Sequence, residues 1–193
     1  MVKLNKIYTR TGDDGTTGLV DGSRIAKSAP LMAAVGDVDE ANSAIGIAAA
    51  ALDADSDAAA MLARIQNEMF DLGADLATPA DIQFGFGPHD MALRIVPSQI
   101  ARLEDEIDRM NDTLDALRSF ILPGGTDAAA RLHLARAVTR RAERAAVAAG
   151  GERDLNPLAL TYLNRLSDHL FVLTRHLNAS AGGDVLWKPG ATR

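Results

Sequence analysis

Apolar residues recur along this chain at helical spacing, in stretches separated by proline at 30, 79, 88, 97, 123, 157 and 189. Leu62, Ile65, Met69, Leu72 and Leu76 fall at i, i+3, i+7, i+10 and i+14, which aligns them on one face of a helix. Ile100, Leu103, Ile107, Met110, Leu114 and Leu117 repeat the pattern, and Tyr162, Leu166, Leu170, Leu173 and Leu177 form a third stripe. That third stripe opens at Asn156-Pro157, a capping residue followed by proline at the first helical position. Another helix is expected to start near Pro30 and to stop at the polar break Asp53-Ala54-Asp55-Ser56-Asp57. A fifth is expected to follow the candidate cap Thr126, with Leu134, Val138, Ala142, Ala145 and Ala149 on one face, and to end at Gly150-Gly151. The pattern predicts an all-α fold with helices over 30–52, 57–77, 98–118, 127–149 and 157–181. Residues 1–29, 78–97 and 119–126 read as loops, and 182–193 as a C-terminal tail of the same single domain.

Composition agrees with a helical reading. Aromatic residues are 4% of the 193 and alanine is abundant, so small side chains allow helices to approach closely, whereas a β-sandwich needs more β-branched and aromatic residues. A net charge of −6 argues against a nucleic-acid partner, which demands surplus Lys and Arg. The cations present are mostly arginine, with Lys only at 3, 6, 27 and 188, and the guanidinium fork suits phosphate and carboxylate partners. The absence of cysteine excludes thiolate metal sites, disulfides and thiol nucleophiles. No segment resembles a signal peptide or reaches membrane-spanning length, and a cytoplasmic protein is expected.

Three regions carry candidate chemistry. Thr9-Arg10-Thr11-Gly12-Asp13-Asp14-Gly15-Thr16-Thr17-Gly18 has glycines able to take positive φ and to turn backbone N–H groups toward an anion, although on the spacing alone a plain mobile N-terminal loop is the commoner reading. On the fourth helix Arg136, Arg140, Glu143 and Arg144 gather within a wedge of about 100°. A solvated salt-bridged face explains such a wedge, and so does an anionic ligand. On the fifth helix Asn164, Asp168 and Arg175 lie together, open to inter-helix hydrogen bonding or to a ligand, and in the first helix Asp37, Asp39 and Glu40 interrupt an apolar run. His89, His133, His169 and His176 are scattered as surface or packing residues, with no Glu-x-x-His pair for a di-iron site. Phe120 reads as core, and Trp187 as an anchor for the tail.

Five segments in order resemble one family. They are Ile7-Tyr8-Thr9-Arg10-Thr11-Gly12-Asp13-Asp14-Gly15, Gly36-Asp37-Val38-Asp39-Glu40 continuing to Asn42-Ser43, Phe120-Ile121-Leu122-Pro123-Gly124-Gly125-Thr126, Arg140-Arg141-Ala142-Glu143-Arg144, and Asn164-Arg165-Leu166-Ser167-Asp168. Together these resemble the propanediol-utilisation-type ATP:cob(I)alamin adenosyltransferases. Ala41 and His169 stand where the resemblance expects larger apolar residues.

The resemblance implies a five-helix bundle assembled as a homotrimer with active sites between subunits, binding ATP with Mg²⁺ and then a reduced corrinoid. It implies that Thr9, Arg10, Thr11, Gly12, Gly15 and Thr17 line the nucleotide and that Lys27 reaches its phosphates. Arg140, Arg141, Glu143 and Arg144 would hold ribose and triphosphate, with Asn164 on the nucleoside side. Asp39 and Arg136 would pair across the interface, and Phe120 would press on the lower face of the corrin. A flavin-type reductase and an adenosylcobalamin-dependent acceptor enzyme are the implied partners. A non-catalytic ATP- and corrinoid-binding trimer, acting as sensor or delivery module, is the alternative, and a purely structural bundle leaves the loop and the arginine wedge unexplained.

Overall fold

The structure, a computed structural model, describes residues 7–83 and 91–193. His89, Lys3 and Lys6 lie outside the described residues, as does part of the 78–97 connection. Five helices follow a short hairpin: α1 Pro30–Ala49, α2 Asp57–Ala77, α3 Pro97–Asn111, α4 Asp127–Gly150 and α5 Pro157–Ala179. Their starts are chemically marked. Ser56 and Thr126 accept the backbone N–H of Ala59 and Ala129 at 3.2 and 3.1 Å, and the Asn156 carboxamide accepts that of Leu158 at 3.1 Å. Pro30, Pro97 and Pro157 occupy first-turn positions where no N–H is needed.

The helices share one core. α1 packs on α4 and α2, α4 on α5, and α3 on α5. Ala34, Ala41 and Ala48 on α1, and Ala128, Ala135, Ala142 and Ala149 on α4, recur every seventh residue and are all buried. With no side chain beyond Cβ, these faces let α1 and α4 come together closely. The predicted stripes of α2 and α5 are buried as expected, apart from Leu177, which is partly buried. Leu134 is not on the buried face. It is 58% exposed, because α4 turns the face carrying Leu132, Ala135, Val138 and Ala142 inward instead.

Three boundaries differ from the sequence expectation. α3 stops at Asn111 rather than 118, since the Thr113 hydroxyl donates to the Met110 carbonyl at 2.8 Å and Leu114 N–H turns back to Asn111. Leu117 is thereby freed from the bundle and is 40% exposed. α1 ends at Ala49 rather than 52, its last N–H groups closing tighter turns onto Ala48 and Ala49. α5 ends at Ala179 rather than 181, where the Asn178 carbonyl accepts both Ala181 and Gly183 N–H groups.

The N-terminal region is not all loop. Thr16–Gly18 (β1) pairs antiparallel with Arg24–Ala26 (β2), and Leu19 and Ile25 rest against the core. Of the three glycines expected to allow positive φ, only Gly15 uses it, at 82°, while Arg10 also sits at 63°. No helix among the described residues is long and apolar enough to cross a membrane.

Candidate functional site

The turn before α4 determines where Phe120 stands. Gly125 has φ 101°, and a Cβ there would fall 2.1 Å from the Asn178 carboxamide oxygen, so this position requires glycine. The Asn178 oxygen accepts the Thr126 N–H at 3.0 Å and its nitrogen donates to the Gly124 carbonyl at 3.2 Å, clamping the turn to α5. Upstream, the chain runs alongside the tail. Trp187 N–H donates to the Phe120 carbonyl at 2.8 Å, Leu122 N–H to Val185 at 2.7 Å, and Ile121 and Leu186 form an antiparallel bridge. Phe120 is not core: it is 77% exposed, and its ring lies 5.9 Å from that of Trp187.

These elements wall a cavity of about 790 Å³ between α4, α5, the 117–121 segment and the tail. α4 supplies Arg136 and Arg140, α5 supplies Ser167, Asp168 and Phe171, and Phe120 and Trp187 close the apolar side. The Arg136 guanidinium lies 5.8 Å over the Phe171 ring, and its Nε is buried without a partner. Burial first, and then the like charge of Arg140, push Arg136 below the usual arginine range. Behind it, His133 is buried with neither ring nitrogen hydrogen-bonded. Burial and then Arg136 lower its pKa, against a smaller opposing pull from Asp184. The site thus holds positive charge on Arg136 and Arg140 that no carboxylate among the described residues pairs with.

One turn further along, the Asn164 amide donates to Glu143 at 2.9 Å, bridging α5 to α4, and Arg144 donates to the Arg140 carbonyl at 2.9 Å. Arg141 faces elsewhere, paired with Glu40 and, at 3.5 Å, with Asp37 of α1. Asp39 is exposed, and only its backbone carbonyl is engaged, by Ser43. Arg136 and Asp39 form no pair within one chain. Arg175 is buried at the end of α5, donating to Asp184 at 3.0 Å and to the Asp115 carbonyl at 2.7 Å.

The Gly-Thr loop is internally braced. Asp14 accepts the Thr16 N–H and hydroxyl at 2.9 and 2.8 Å, which lowers its pKa. Lys27 donates to the Gly12 carbonyl at 2.8 Å, and Thr11 to the Thr9 hydroxyl at 2.8 Å. Arg24 ties Thr11 to Thr16 and is a bracing residue that the sequence pattern did not single out. Thr17 pairs with Ile25 in the hairpin. A crevice joins this hairpin to Ala149, Glu152 and Arg153 at the far end of α4, and no loop residue lines the Phe120 cavity. One chain therefore unites Phe120, Arg136 and Arg140, sets Glu143, Arg144 and Asn164 beside them, and keeps Thr9 to Lys27 apart.

A family model for cobalamin adenosyltransferase matches residues 7–177. The chain belongs to the cobalamin adenosyltransferase family. It is 51% identical over 194 residues to the corrinoid adenosyltransferase of Mycobacterium tuberculosis, covering 100% of this chain and 97% of that one. The Bacillus subtilis corrinoid adenosyltransferase is 40% identical over 190 residues, covering 96% of this chain and 94% of that protein. Among solved structures, a variant of the PduO-type ATP:corrinoid adenosyltransferase from Lactobacillus reuteri, complexed with cobalamin and ATP, superposes with a TM-score of 0.85 at 36% identity, covering 95% of this chain and 99% of that one. The five-helix fold of this adenosyltransferase is therefore shared with that solved structure over nearly all of both chains.

Proposed function

We infer that the chain transfers the 5′-deoxyadenosyl group of ATP to the cobalt of a reduced corrinoid, and we propose how its own residues serve that reaction. The observation that carries the assignment of roles is the cavity itself. An apolar side made by an exposed Phe120 faces two unneutralised arginines, which is the polarity needed by a flat macrocycle beside a polyphosphate. Cobalt(I) supplies the electron pair for the new cobalt–carbon bond, the C5′–oxygen bond breaks, and triphosphate leaves with that bond pair. No proton need move in that step, so no general base is required. The protein's contribution is alignment and charge.

Arg140, with Arg144 and the Glu143–Asn164 bridge, holds the ribose and the departing triphosphate. Thr9, Arg10, Thr11, Gly12, Gly15, Thr17 and Lys27 close over the nucleotide with its Mg²⁺. Since the loop stands apart from the cavity within one chain, its partner cavity belongs to a neighbouring subunit of a homotrimer. The buried, unpaired Arg136 Nε and the exposed Asp39 support the same assembly, each offering a charge to the other across an interface. Arg141 acts indirectly, fixing α4 on α1 through Asp37 and Glu40. Phe120 excludes water and the lower ligand from cobalt, which favours the four-coordinate state. Action in the cytoplasm, with a flavin-type reductase and an adenosylcobalamin-dependent acceptor, completes the proposal on the strength of the family resemblance.

The test is adenosylcobalamin formation, followed by absorbance, from ATP, Mg²⁺ and corrinoid. Phe120→Ala is expected to leave ATP affinity unchanged and to lower turnover of cobalt(II) under mild reductant by about 10²-fold or more. Pre-reduced cobalt(I) should restore much of the rate. Binding of both ligands by the wild-type protein without turnover would favour the sensor reading instead.

A further inference from the structure

A second cavity, of about 910 Å³, lies on the opposite side of the 117–119 segment from the first. Leu117, Arg118 and Ser119 line both, so this short segment is a ridge between two hollows. The far wall of the second is the Gly182–Leu186 stretch of the tail, where Gly182 and Gly183 take positive φ and leave open space beside the backbone. Its lining is half polar, half apolar in character: Leu114, Ala116 and Leu186 offer hydrocarbon, while Arg175 stands at the α5 side.

Arg118, like Arg136 and Arg140, stands apart from the paired arginines. Arg64, Arg94, Arg102, Arg165 and Arg175 all have carboxylate partners. Arg118, exposed on the ridge, makes no ion pair or hydrogen bond among the described residues. The two acids of the hollow make no ion pair with it: Asp184 is taken by Arg175, and the Asp115 carboxylate makes none among the described residues.

We propose that this second hollow receives the nucleotide tail of the corrinoid, with Arg118 on the ridge contacting the tail's phosphodiester. The inference rests on the adenosyltransferase reading above. A corrinoid seated on Phe120 has its lower base displaced from cobalt. That base is a flat aromatic group on a ribose phosphate, tethered to the rim of the ring, and it must come to rest within the tether's reach. The ridge provides a cation where the tether crosses, and the hollow beyond it offers apolar surface for the base. A hollow of this size falls in the range that encloses ligands of several hundred daltons. Arg118 would form a charge-assisted contact of the kind that phosphate favours. The site would make the chain selective for complete corrinoids over ring precursors lacking the nucleotide.

The experiment compares pre-reduced cobalamin with pre-reduced cobinamide, which has the same ring without the nucleotide tail. Wild-type kcat/KM should favour cobalamin. Arg118→Ala should lower the cobalamin-to-cobinamide ratio about five- to tenfold, the size of one partly solvated phosphate contact. Arg118→Lys should keep most of the preference. Ala179→Trp, which fills the hollow from the α5 side, should lower the ratio in the same direction without touching the ridge cation. No wild-type preference, or equal changes for both substrates in the variants, would overturn the tail site while leaving the adenosyltransferase intact. Turnover of neither corrinoid by the wild-type protein would overturn the underlying reading instead.

Discussion

Two regions of this molecule concentrate arginine, and they treat it in opposite ways. Between α2, α3 and α5, Arg64 forms a bidentate pair with Glu106 at 2.6 and 2.8 Å and approaches Glu68 at 3.5 Å. Glu68 also accepts the Tyr162 hydroxyl at 2.7 Å and Arg102 at 3.0 Å, and Glu106 meets His169 Nε2 at 2.9 Å. Both of these carboxylates are buried and answered. On the α4–α5 face, Arg136 and Arg140 line a cavity with no carboxylate partner among the described residues, and the field of one disfavours the charge of the other. The first region is neutralised within the fold, and the second is not. Arginine that the fold neutralises serves architecture, and arginine that it leaves over is, in the function proposed above, held for a ligand.

The most severe way to break this contrast is Glu106→Gln. It takes the bidentate partner from half-buried Arg64, which keeps only the longer contact with Glu68, at a cost of about 3 kcal/mol, roughly 10 °C in Tm for a chain of this size. Burial alone would raise the Glu106 pKa, but the hydrogen bond with His169 and the pair with Arg64 outweigh it and hold the carboxyl at about 2. A folded pKa below the unfolded value means that the carboxylate stabilises the native state above pH ~4.5, and that this contribution is lost as pH falls toward 2. Thermal melts of the wild type should therefore fall between these pH values, and those of Glu106→Gln should fall less. Identical acid profiles would mean that Glu106 is not the group responsible.

Arg140→Ala should produce the reverse signature. The side chain is exposed, so Tm should move by no more than about 0.5 kcal/mol equivalent. Loss of a cation facing the departing triphosphate should lower kcat/KM by about 10²–10³. A large loss of stability with modest loss of activity would place Arg140 with the architectural arginines and erase the distinction between the regions.

The two regions were also unequally legible. The wedge of Arg136, Arg140 and Arg144 shows itself through helical periodicity alone, because all members lie on one helix. The Glu68–Glu106 network does not. Its members are spread over three helices, and in a linear pattern Arg64, Glu68 and Glu106 look like ordinary solvated charges. His169 likewise fills an apolar slot only because Glu106 reaches it from α3. The end of α3 was hidden because Leu114 and Leu117 keep the helical spacing past the point where Asn111, Asp112 and Thr113 turn the chain. Phe120 reads as core and Trp187 as a tail anchor in sequence, yet both line the cavity, and nothing in an apolar residue's spacing tells a core wall from a cavity wall. The turn glycine Gly125 was visible as a turn, whereas its need to clear Asn178 lay in the tertiary contact.

A smaller effect refines the first region. Tyr162→Phe removes one hydroxyl from Glu68 and nothing else, and Glu68 keeps Arg64 and Arg102. Burial first, then the Glu68 charge, keep the Tyr162 pKa well above its usual value, so the hydroxyl remains a donor throughout the neutral range. A hydrogen bond to a buried charge contributes about 1.5–3 kcal/mol, and chemical denaturation should resolve that loss with an unchanged m-value.

The smallest effect tests whether the network draws its strength from burial or from the number of pairs. Arg102 donates to Glu68 at 3.0 Å, as short as many of the buried contacts, but its side chain is 46% exposed. In high dielectric the attraction is weak, and ordering a long side chain opposes it, so an exposed pair contributes about 0.5 kcal/mol. Arg102→Ala also leaves no stranded charge, because Glu68 retains the Tyr162 hydroxyl and the nearby Arg64. The expected loss is therefore within about 0.5 kcal/mol and should shrink further in 0.5 M salt, where exposed pairs are screened and buried ones are not. A loss as large as that of Tyr162→Phe, insensitive to salt, would show that pair number rather than burial governs the network. Arg136, which is half-buried and unpaired, would then have to be weighed by its absent partner alone.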